Sequence, residues 1–373
     1  MAVETLNNVS TDMLRWAFVR AGFSEVEAVN GFPQLANWLS KEKNPTFKQL
    51  QKFAAKFYVP FGYLFLKDIP AEDIPFPMFR GKATHTDGFD LNVYDTVMNV
   101  RSRQEWLEDY LTDNDIEPSP LVGVVNVDTP IDKTVSMLRN MLQLEPQWAF
   151  EIDTVDSAVN KLTDQLELLG VFLAYNGVVG NNTHRPLKVS ECRGFALVNK
   201  IAPYIFVNSA DSKAAQMFTL IHEAVHLMLG ISAGHAGEYF DYNNVEELYC
   251  NKVAAEFLVP SAELCLMWNG DIKAAARKFK VSDVVIARRA YDLGLIGDIE
   301  YNDFWSEYNN RPLLEKKNAT GGNFYLTSVK RVGRLFAIHV RNAVNSRQLS
   351  YTEAYRLTGL HGNTYNHFMT NNI

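Results

Sequence analysis

The sequence predicts an α+β protein that is mostly helical. Apolar residues recur at helical spacing over most of the 373 residues, which indicates helices packed on a core. Short apolar runs beginning at Gly170, Gly194 and Pro203 indicate instead the buried strands of a small sheet. A chain of this length can form two or three domains with a sizeable core.

The composition is that of an ordinary globular protein, with 47% hydrophobic and 21% charged residues. No apolar run is long enough to span a bilayer, and the first residues lack the pattern of a signal peptide. Cys192, Cys250 and Cys265 form no C-x-x-C pair, which favours a reducing compartment. We therefore expect a cytoplasmic protein that does not contact a membrane.

Residues 10–67 predict a compact unit of five short helices with a helix-turn-helix layout. Ser10 or Thr11 can cap the first helix, Gly22 can stop it, and Ser24 can cap the second. The remaining helices are expected at 32–41, 47–57 and 61–66.

Three prolines within 70–77 mark the first boundary, and the remaining elements follow from the same spacing rules. Helices are expected at about 90–112, 131–142, 155–169, 218–230, 245–259, 271–279 and 282–293, with a linker at 118–130 and strands at 170–175, 194–198 and 203–207. Gly321-Gly322 should open a basic tail. The predicted domains are a helix-turn-helix domain (1–68), a helical linker region (69–135), a core with the small sheet (136–310) and a basic C-terminal helical module (311–373).

Charge is distributed unevenly along the chain. Residues 68–130 hold 13 Asp or Glu against 4 Lys or Arg, whereas residues 316–373 hold 8 Lys or Arg against one acid, Glu353. Opposite charges of this kind predict that the tail docks on the rest of the chain or holds a charged partner.

The segment F-T-L-I-H-E-A-V-H-L-M-L-G, residues 218–230, contains an H-E-x-x-H motif. His222 and His226 lie four residues apart on one helix face, so both can reach one metal ion. Glu223 beside them can accept and donate a proton. The alternative is two histidines that pack in a helix without a metal. A small sheet followed by such a helix is the layout of a zincin-like metallopeptidase core.

A catalytic zinc site needs a third protein ligand and an open position for water. Glu246, Glu247 and Glu256 are candidates on the next helix. Glu256 lies about half a turn around that helix from Glu247, so the two cannot face the same metal. Spacing alone does not decide between Glu246 and Glu247.

Three segments resemble the ImmA/IrrE family of zinc metallopeptidases. They are E-L-Y-C-N-K-V-A-A-E-F-L-V-P at 247–260 and the strand pair R-G-F-A-L-V at 193–198 with A-P-Y-I-F-V-N at 202–208. The resemblance places the third Zn²⁺ ligand on Glu247, beside His222 and His226, and implies that Glu223 is the catalytic base.

The chain departs from the family pattern at two places. Ala224-Val225 stands where the family often has Leu-Gly, and Cys250 replaces a small residue. Cys250 shares a helix face with Glu247, so it is either an alternative ligand or a small buried side chain. Peptide hydrolysis also develops a negatively charged oxygen, the oxyanion, which needs a hydrogen-bond donor. The candidate donors, which the sequence does not rank, are Arg193, His235, Tyr239 and Tyr249.

The N-terminal unit resembles the XRE-type helix-turn-helix domain often fused to this peptidase, through residues 38–43, 45–50, 58–60 and 74–80. Its third helix would offer Gln34, Asn37 and Lys41 to DNA. Residues 1–70 hold 8 Lys or Arg and 6 Asp or Glu, a weak charge for a DNA reader. Residues 10–67 therefore either bind DNA or serve as a protein-docking module.

The resemblance implies a site-specific zinc metallo-endopeptidase with a regulatory role, which cleaves a specific protein partner such as a repressor or toxin. The alternatives are an antitoxin-like partner-binding protein and a DNA-binding transcriptional regulator of a toxin-antitoxin or mobile-element module. An intact H-E-x-x-H motif with Glu247 favours catalysis over a peptidase core that has lost its activity, and the weakly charged recognition helix disfavours a protein that only reads DNA.

Overall fold

The predicted fold class is confirmed by a computed structural model, which describes residues 5–74, 76–80, 90–236, 244–311 and 323–373. Seventeen α-helices and a small mixed sheet occur in these ranges. The chain divides into two compact units, Met1–Ile74 and Pro75–Ile373. In the described ranges, no helix has both the length and the apolar character needed to cross a membrane.

The first unit contains five helices around an aromatic core. They are α1 (Thr11–Arg20), α2 (Glu25–Gly31), α3 (Gln34–Leu39), α4 (Phe47–Lys56) and a 3-10 helix (Phe61–Phe65). Ser24 and Thr46 begin α2 and α4 with capping boxes, which satisfy otherwise unpaired backbone N–H groups. The third helix is shorter than predicted because Phe32 has a non-helical backbone, with φ of −144° and ψ of 76°, so helix formation starts only after Pro33. The assignment to the XRE type stays a prediction.

The second unit contains the sheet and the remaining helices. The helices are α5 (Leu91–Asp113), α6 (Ile131–Leu142), α7 (Val155–Leu168), α8 (Lys213–Leu229), α9 (Val245–Leu258), α10 (Ser261–Met267), α11 (Ile272–Phe279), α12 (Asp283–Asp292), α13 (Asp298–Asn309), α14 (Phe324–Val332), α15 (Arg334–Asn345), α16 (Tyr351–Thr358) and α17 (Gly362–Asn371). The strands are β1 (Met78–Arg80), β2 (Phe172–Tyr175), β3 (Val178–Val179), β4 (Asn182–Pro186), β5 (Gly194–Leu197), β6 (Tyr204–Val207) and β7 (Ala233–Ala236).

The five-stranded sheet has the order β1-β7-β5-β6-β2, and β3 pairs separately with β4. Strand β5 runs antiparallel to both β6 and β7, while β2 runs parallel to β6. Ile205 and Val207 of β6 belong to one buried apolar cluster with Leu220 and Ile221 of α8. One face of the sheet therefore carries α8, the helix that contains the H-E-x-x-H motif.

The basic tail packs on the second unit itself. Helices α14 and α15 lie against β2, a strand at the end of the sheet order. Arg334 pairs with the exposed Asp164 and with the buried Glu167, both of α7, at 3.1 Å each. Lys330 pairs with Asp156 of the same helix at 3.4 Å. Among the residues that the structure describes, these acidic partners of the tail are on α7 and not in the acidic segment 68–130. The predicted opening of the tail at Gly321-Gly322 lies outside the described residues.

Strand β5 approaches α8 so closely that a side chain does not fit at Gly194. A Cβ atom there would lie 2.5 Å from Cγ2 of Thr219 and 2.8 Å from the carbonyl oxygen of Phe206. The second contact is with backbone, which cannot rotate away. The absence of a side chain at Gly194 therefore allows the sheet to lie this close to α8, the helix that carries the H-E-x-x-H motif.

We expect Gly194→Ala to lower the free energy of unfolding by about 1–3 kcal/mol, because it forces β5 away from its neighbours. Gly297→Ala is the matched control, since a Cβ at Gly297 meets only a carboxylate oxygen of Glu300, at 3.7 Å. Urea unfolding followed by circular dichroism measures both variants. Equal free energies of unfolding for the two variants would show that the close contact at Gly194 does not affect stability.

Candidate metal centre

Helix α8 presents both motif histidines from a well-defined, buried helix. The Ser212 side chain accepts the Ala215 N–H at its start, and Gly230 ends it with φ of 73°, a left-handed conformation that glycine adopts without strain. His222 and His226 are 0% and 1% exposed. One helical turn separates them, so their rings point to the same side of the helix.

Helix α9 brings Glu247 to these two histidines. Its Oε2 lies 3.2 Å from Nε2 of His222, and its Oε1 lies 2.9 Å from Nε2 of His226. The two Nε2 atoms are 3.1 Å apart. Three potential ligand atoms therefore converge on one point in the protein interior. Within the described ranges, this group of two histidines and one glutamate has its ligand atoms close enough together to hold one metal ion.

The start of α9 orients Glu247 and distinguishes it from its neighbours. Oδ1 of Asn244 accepts the N–H groups of Glu246 and Glu247 at 2.8 and 3.0 Å, which fixes the first turn of the helix. Glu247 is 1% exposed, whereas Glu246 is only half-buried and is not part of the ligand group. Cys250 is fully buried but also stays outside the group. Its thiol has a pKa well above the usual range because of burial and the nearby Glu247 charge.

The geometry of this group fits a tetrahedral zinc site. Zinc–nitrogen and zinc–oxygen distances of about 2.0–2.2 Å at tetrahedral angles place ligand atoms roughly 3.3–3.6 Å apart. The observed separations of 2.9–3.2 Å are only slightly shorter. Two imidazoles and a carboxylate form a donor set of catalytic zinc sites, in which a fourth position is left for water or substrate.

Asn251 supports the first histidine, a role that the sequence analysis did not assign. Its Oδ1 lies 3.0 Å from Nδ1 of His222. A carbonyl oxygen can only accept, so Nδ1 of His222 carries the proton and its Nε2 lone pair faces the ligand group. Asn251 lies one turn after Glu247, and this four-residue spacing on α9 is the sequence signal that could have identified it.

Glu223 lies next to this group and has the features of a proton carrier. It is 0% exposed, and neither carboxylate oxygen has a hydrogen-bond partner among the described residues. Burial raises the pKa of Glu223 well above its ordinary value, and the negative charge of Glu247 raises it further. A carboxyl group with a raised pKa can accept and return a proton near neutral pH.

The two candidate oxyanion donors that the structure describes, Arg193 and Tyr249, are engaged in other contacts. Arg193 is held in an ion pair with Asp211. The Tyr249 hydroxyl bonds to Thr134 Oγ1 at 2.6 Å and donates to the Thr129 carbonyl at 2.9 Å, so it ties α9 to α6 and the preceding segment. Tyr239 and the side chain of His235 lie outside the described part of the structure.

Residues 118–130, predicted as a linker, also support the site. The N–H groups of Gly123 and Val125 donate to the carbonyl oxygens of Leu227 and Met228 at 3.0 and 3.1 Å. These carbonyls belong to the last turn of α8, where that of Leu227 also accepts the N–H of the capping Gly230 at 3.0 Å. The segment therefore caps the end of the helix that carries the two histidines.

Comparison with known families supports this assignment. Residues 179–291 match the IrrE N-terminal-like domain of the peptidase M78 family. The match spans both ligand-bearing helices, so this part of the chain is similar to a metallopeptidase of the IrrE/ImmA type. A second match, at residues 332–371, is to a domain of unknown function, DUF8813. The comparison with curated proteins found no match.

We expect Glu247→Ala to lose most of the capacity to bind zinc, because the carboxylate would supply one of three protein ligands. Glu246→Ala and Cys250→Ala are the matched controls on the same helix and should keep about one zinc ion per chain. Elemental analysis of the purified variants measures the metal content. Full zinc occupancy in Glu247→Ala, or loss in either control, would refute the assignment.

We also expect Asn251→Ala to weaken zinc affinity by about 10–100-fold, because His222 loses the acceptor that fixes its tautomer. Asn251→Asp keeps an oxygen at that position and should retain most of the affinity. Competition with a chelator of known affinity gives the comparison. If both variants bound zinc like the unmodified protein, the contact with His222 would have no role in binding.

Proposed function

We propose that this protein is a site-specific zinc metallo-endopeptidase with a regulatory role, which cleaves a specific protein partner such as a repressor or toxin. The observation that carries the proposal is the buried group of His222, His226 and Glu247 with Glu223 beside it, inside the stretch that matches a peptidase family. Two histidines that merely pack in a helix do not require a third ligating side chain aimed at the same point.

The chain's own residues prepare a metal site of defined shape. Asn251 fixes the tautomer of His222, and the cap at Asn244 fixes the direction of Glu247. Helices α8 and α9 pack on each other through apolar side chains that belong to one buried cluster. A bound zinc ion would supply a water of roughly neutral pKa and would polarise the carbonyl of the peptide bond to be cut.

Glu223 would act as the general base and then as the general acid. With its pKa raised by burial, its carboxylate takes a proton from the attacking water and passes that proton to the departing amine. Because Glu223 is not a metal ligand, it keeps both oxygens for this transfer. The roles of ligand and proton carrier are therefore divided between different residues.

The alternative is a DNA-binding or antitoxin-like regulator that uses the same chain for binding alone. It is supported by the order of short helices in the first unit, where Gln34 is exposed on α3 and Asn37 is half-buried. The small net charge of that unit gives little phosphate attraction, which weakens the case for DNA as its main partner. The unpaired carboxylate of Glu223 has no function in a protein that only binds.

We expect Glu223→Gln to retain zinc and fold but to lose cleavage by about 10²–10⁴-fold, because it removes the base and keeps the ligands. The substrate can be found in the same experiment. Wild type and Glu223→Gln are expressed in matched cells, and newly formed protein N-termini are compared by mass spectrometry.

The expected result is a small set of new N-termini with wild type that is missing with Glu223→Gln, while both proteins carry equal zinc. His222→Ala serves as a metal-free control. Identical N-termini from wild type and Glu223→Gln would disprove the assigned role of Glu223. Cleavage of many unrelated proteins would contradict site specificity.

A further inference from the structure

A cavity of about 220 Å³ lies between the tail helices and the rest of the second unit. Its walls come from α5, from β2 and β6, from the β3–β4 hairpin, and from the ends of α14 and α16. Phe206 of β6 lines it, whereas its neighbours Ile205 and Val207 pack with α8. Since side chains alternate along a strand, the cavity lies on the opposite face of the sheet from the metal centre.

Three arginines line this cavity: Arg103, Arg331 and Arg356. No aspartate or glutamate is among its described lining residues. Arg103 is fixed in place, because it donates to the carbonyl oxygens of Leu357 at 3.0 Å and Arg331 at 3.2 Å. These two contacts join α5 to both tail segments that close the cavity.

The other two arginines differ in their partners. Arg356 donates to Ser102 Oγ at 2.9 Å and pairs with Glu353 at 2.6 Å, so its charge is partly offset. Arg331 is half-buried, and its guanidinium makes no hydrogen bond or ion pair with any described residue. Burial without a neighbouring acid lowers the pKa of Arg331. A partly buried guanidinium that lines the cavity and has no acidic partner is available to pair with an anion there.

We propose that this cavity binds a small anion of the phosphate class, either inorganic phosphate or the phosphoryl group of a small metabolite. Arginine forks match the paired oxygens of phosphate, and here they come from three different helices around one space. The volume is below the roughly 300–1,000 Å³ of sites for drug-sized ligands, so the ligand is small. The bound anion would bridge α5 and the tail, the two parts of the chain that meet there.

The test is isothermal titration calorimetry on the full-length protein at constant ionic strength. Inorganic phosphate and ribose 5-phosphate are the two probes, and malonate is the carboxylate comparison. Saturable binding of at least one phosphate probe is expected. Arg331→Gln should weaken that binding by about tenfold or more, because a charge-assisted hydrogen bond is lost.

Two further variants make the result specific. Arg341→Gln removes the same charge from the same tail but lies outside the cavity, and it should change affinity by less than about twofold. Asn99→Glu places a negative charge on the exposed part of the cavity wall and should also weaken binding. It gives an independent answer if Arg331→Gln does not fold, which circular dichroism will show.

Tighter binding of ribose 5-phosphate than of inorganic phosphate would identify a phosphomonoester as the ligand, and similar binding would identify free phosphate. The absence of saturable binding by both probes would overturn the proposal, as would malonate binding more tightly than either. Equal losses in Arg331→Gln and Arg341→Gln would also overturn it, because they would indicate unspecific charge attraction. The readout is binding, so the result is independent of peptidase activity.

Discussion

The packing of α8 on α9 is the contact on which the candidate function depends. Burying two imidazoles and two carboxylates in an apolar core is unfavourable unless they satisfy one another or hold a cation. The helices that carry them are otherwise apolar, with Ile221, Val225, Val253 and Ala254 in the same buried cluster. The polar residues at this contact therefore add nothing to hydrophobic burial, and their placement makes sense as a site for chemistry.

The sequence was most informative where local rules decide structure. Helix α6 was predicted at its observed bounds, and Ser24 and Thr46 begin helices as side chains of their type usually do. The H-E-x-x-H helix was predicted because its motif and its C-terminal glycine lie within one continuous apolar segment. The buried strands were predicted because each of them is a short, continuous apolar segment. Periodicity and capping are properties of neighbouring residues, which a single sequence displays directly.

The third candidate ligand shows where local rules stop being sufficient. Helical spacing left Glu246 and Glu247 open, because the two differ by only about a quarter turn. Family resemblance favoured Glu247, and the structure places that carboxylate, not Glu246 or Cys250, beside both histidines. The decision depends on how α9 is rotated against α8, which is set by packing between segments distant in sequence.

Contacts between distant segments account for most of what the sequence could not reveal. The charge pattern indicated that the tail docks on the rest of the chain or holds a charged partner, but not that Arg334 pairs with Asp164 on α7. The arginine-lined cavity likewise requires α5 and the tail to meet, and nothing in either segment alone indicates it. Strand β4 was missed because its residues Asn182–Pro186 are mostly polar and partly exposed, so they lack a buried-strand pattern.

The segment 118–130 changes how the second unit should be divided. Its three prolines and single glycine are typical of a connector, yet its backbone caps α8 through Gly123 and Val125, and its Thr129 carbonyl accepts from Tyr249 on α9. The two helices that carry His222, His226 and Glu247 are thus attached to one short segment through bonds between residues more than a hundred positions apart in the chain. A fragment beginning at residue 136, the predicted start of the peptidase core, would lack these bonds. It would also begin within α6, whose Thr134 bonds the same tyrosine. The alignment of His222 and His226 with Glu247 therefore depends on residues outside the predicted core, and the functional unit has to include the segment that precedes it.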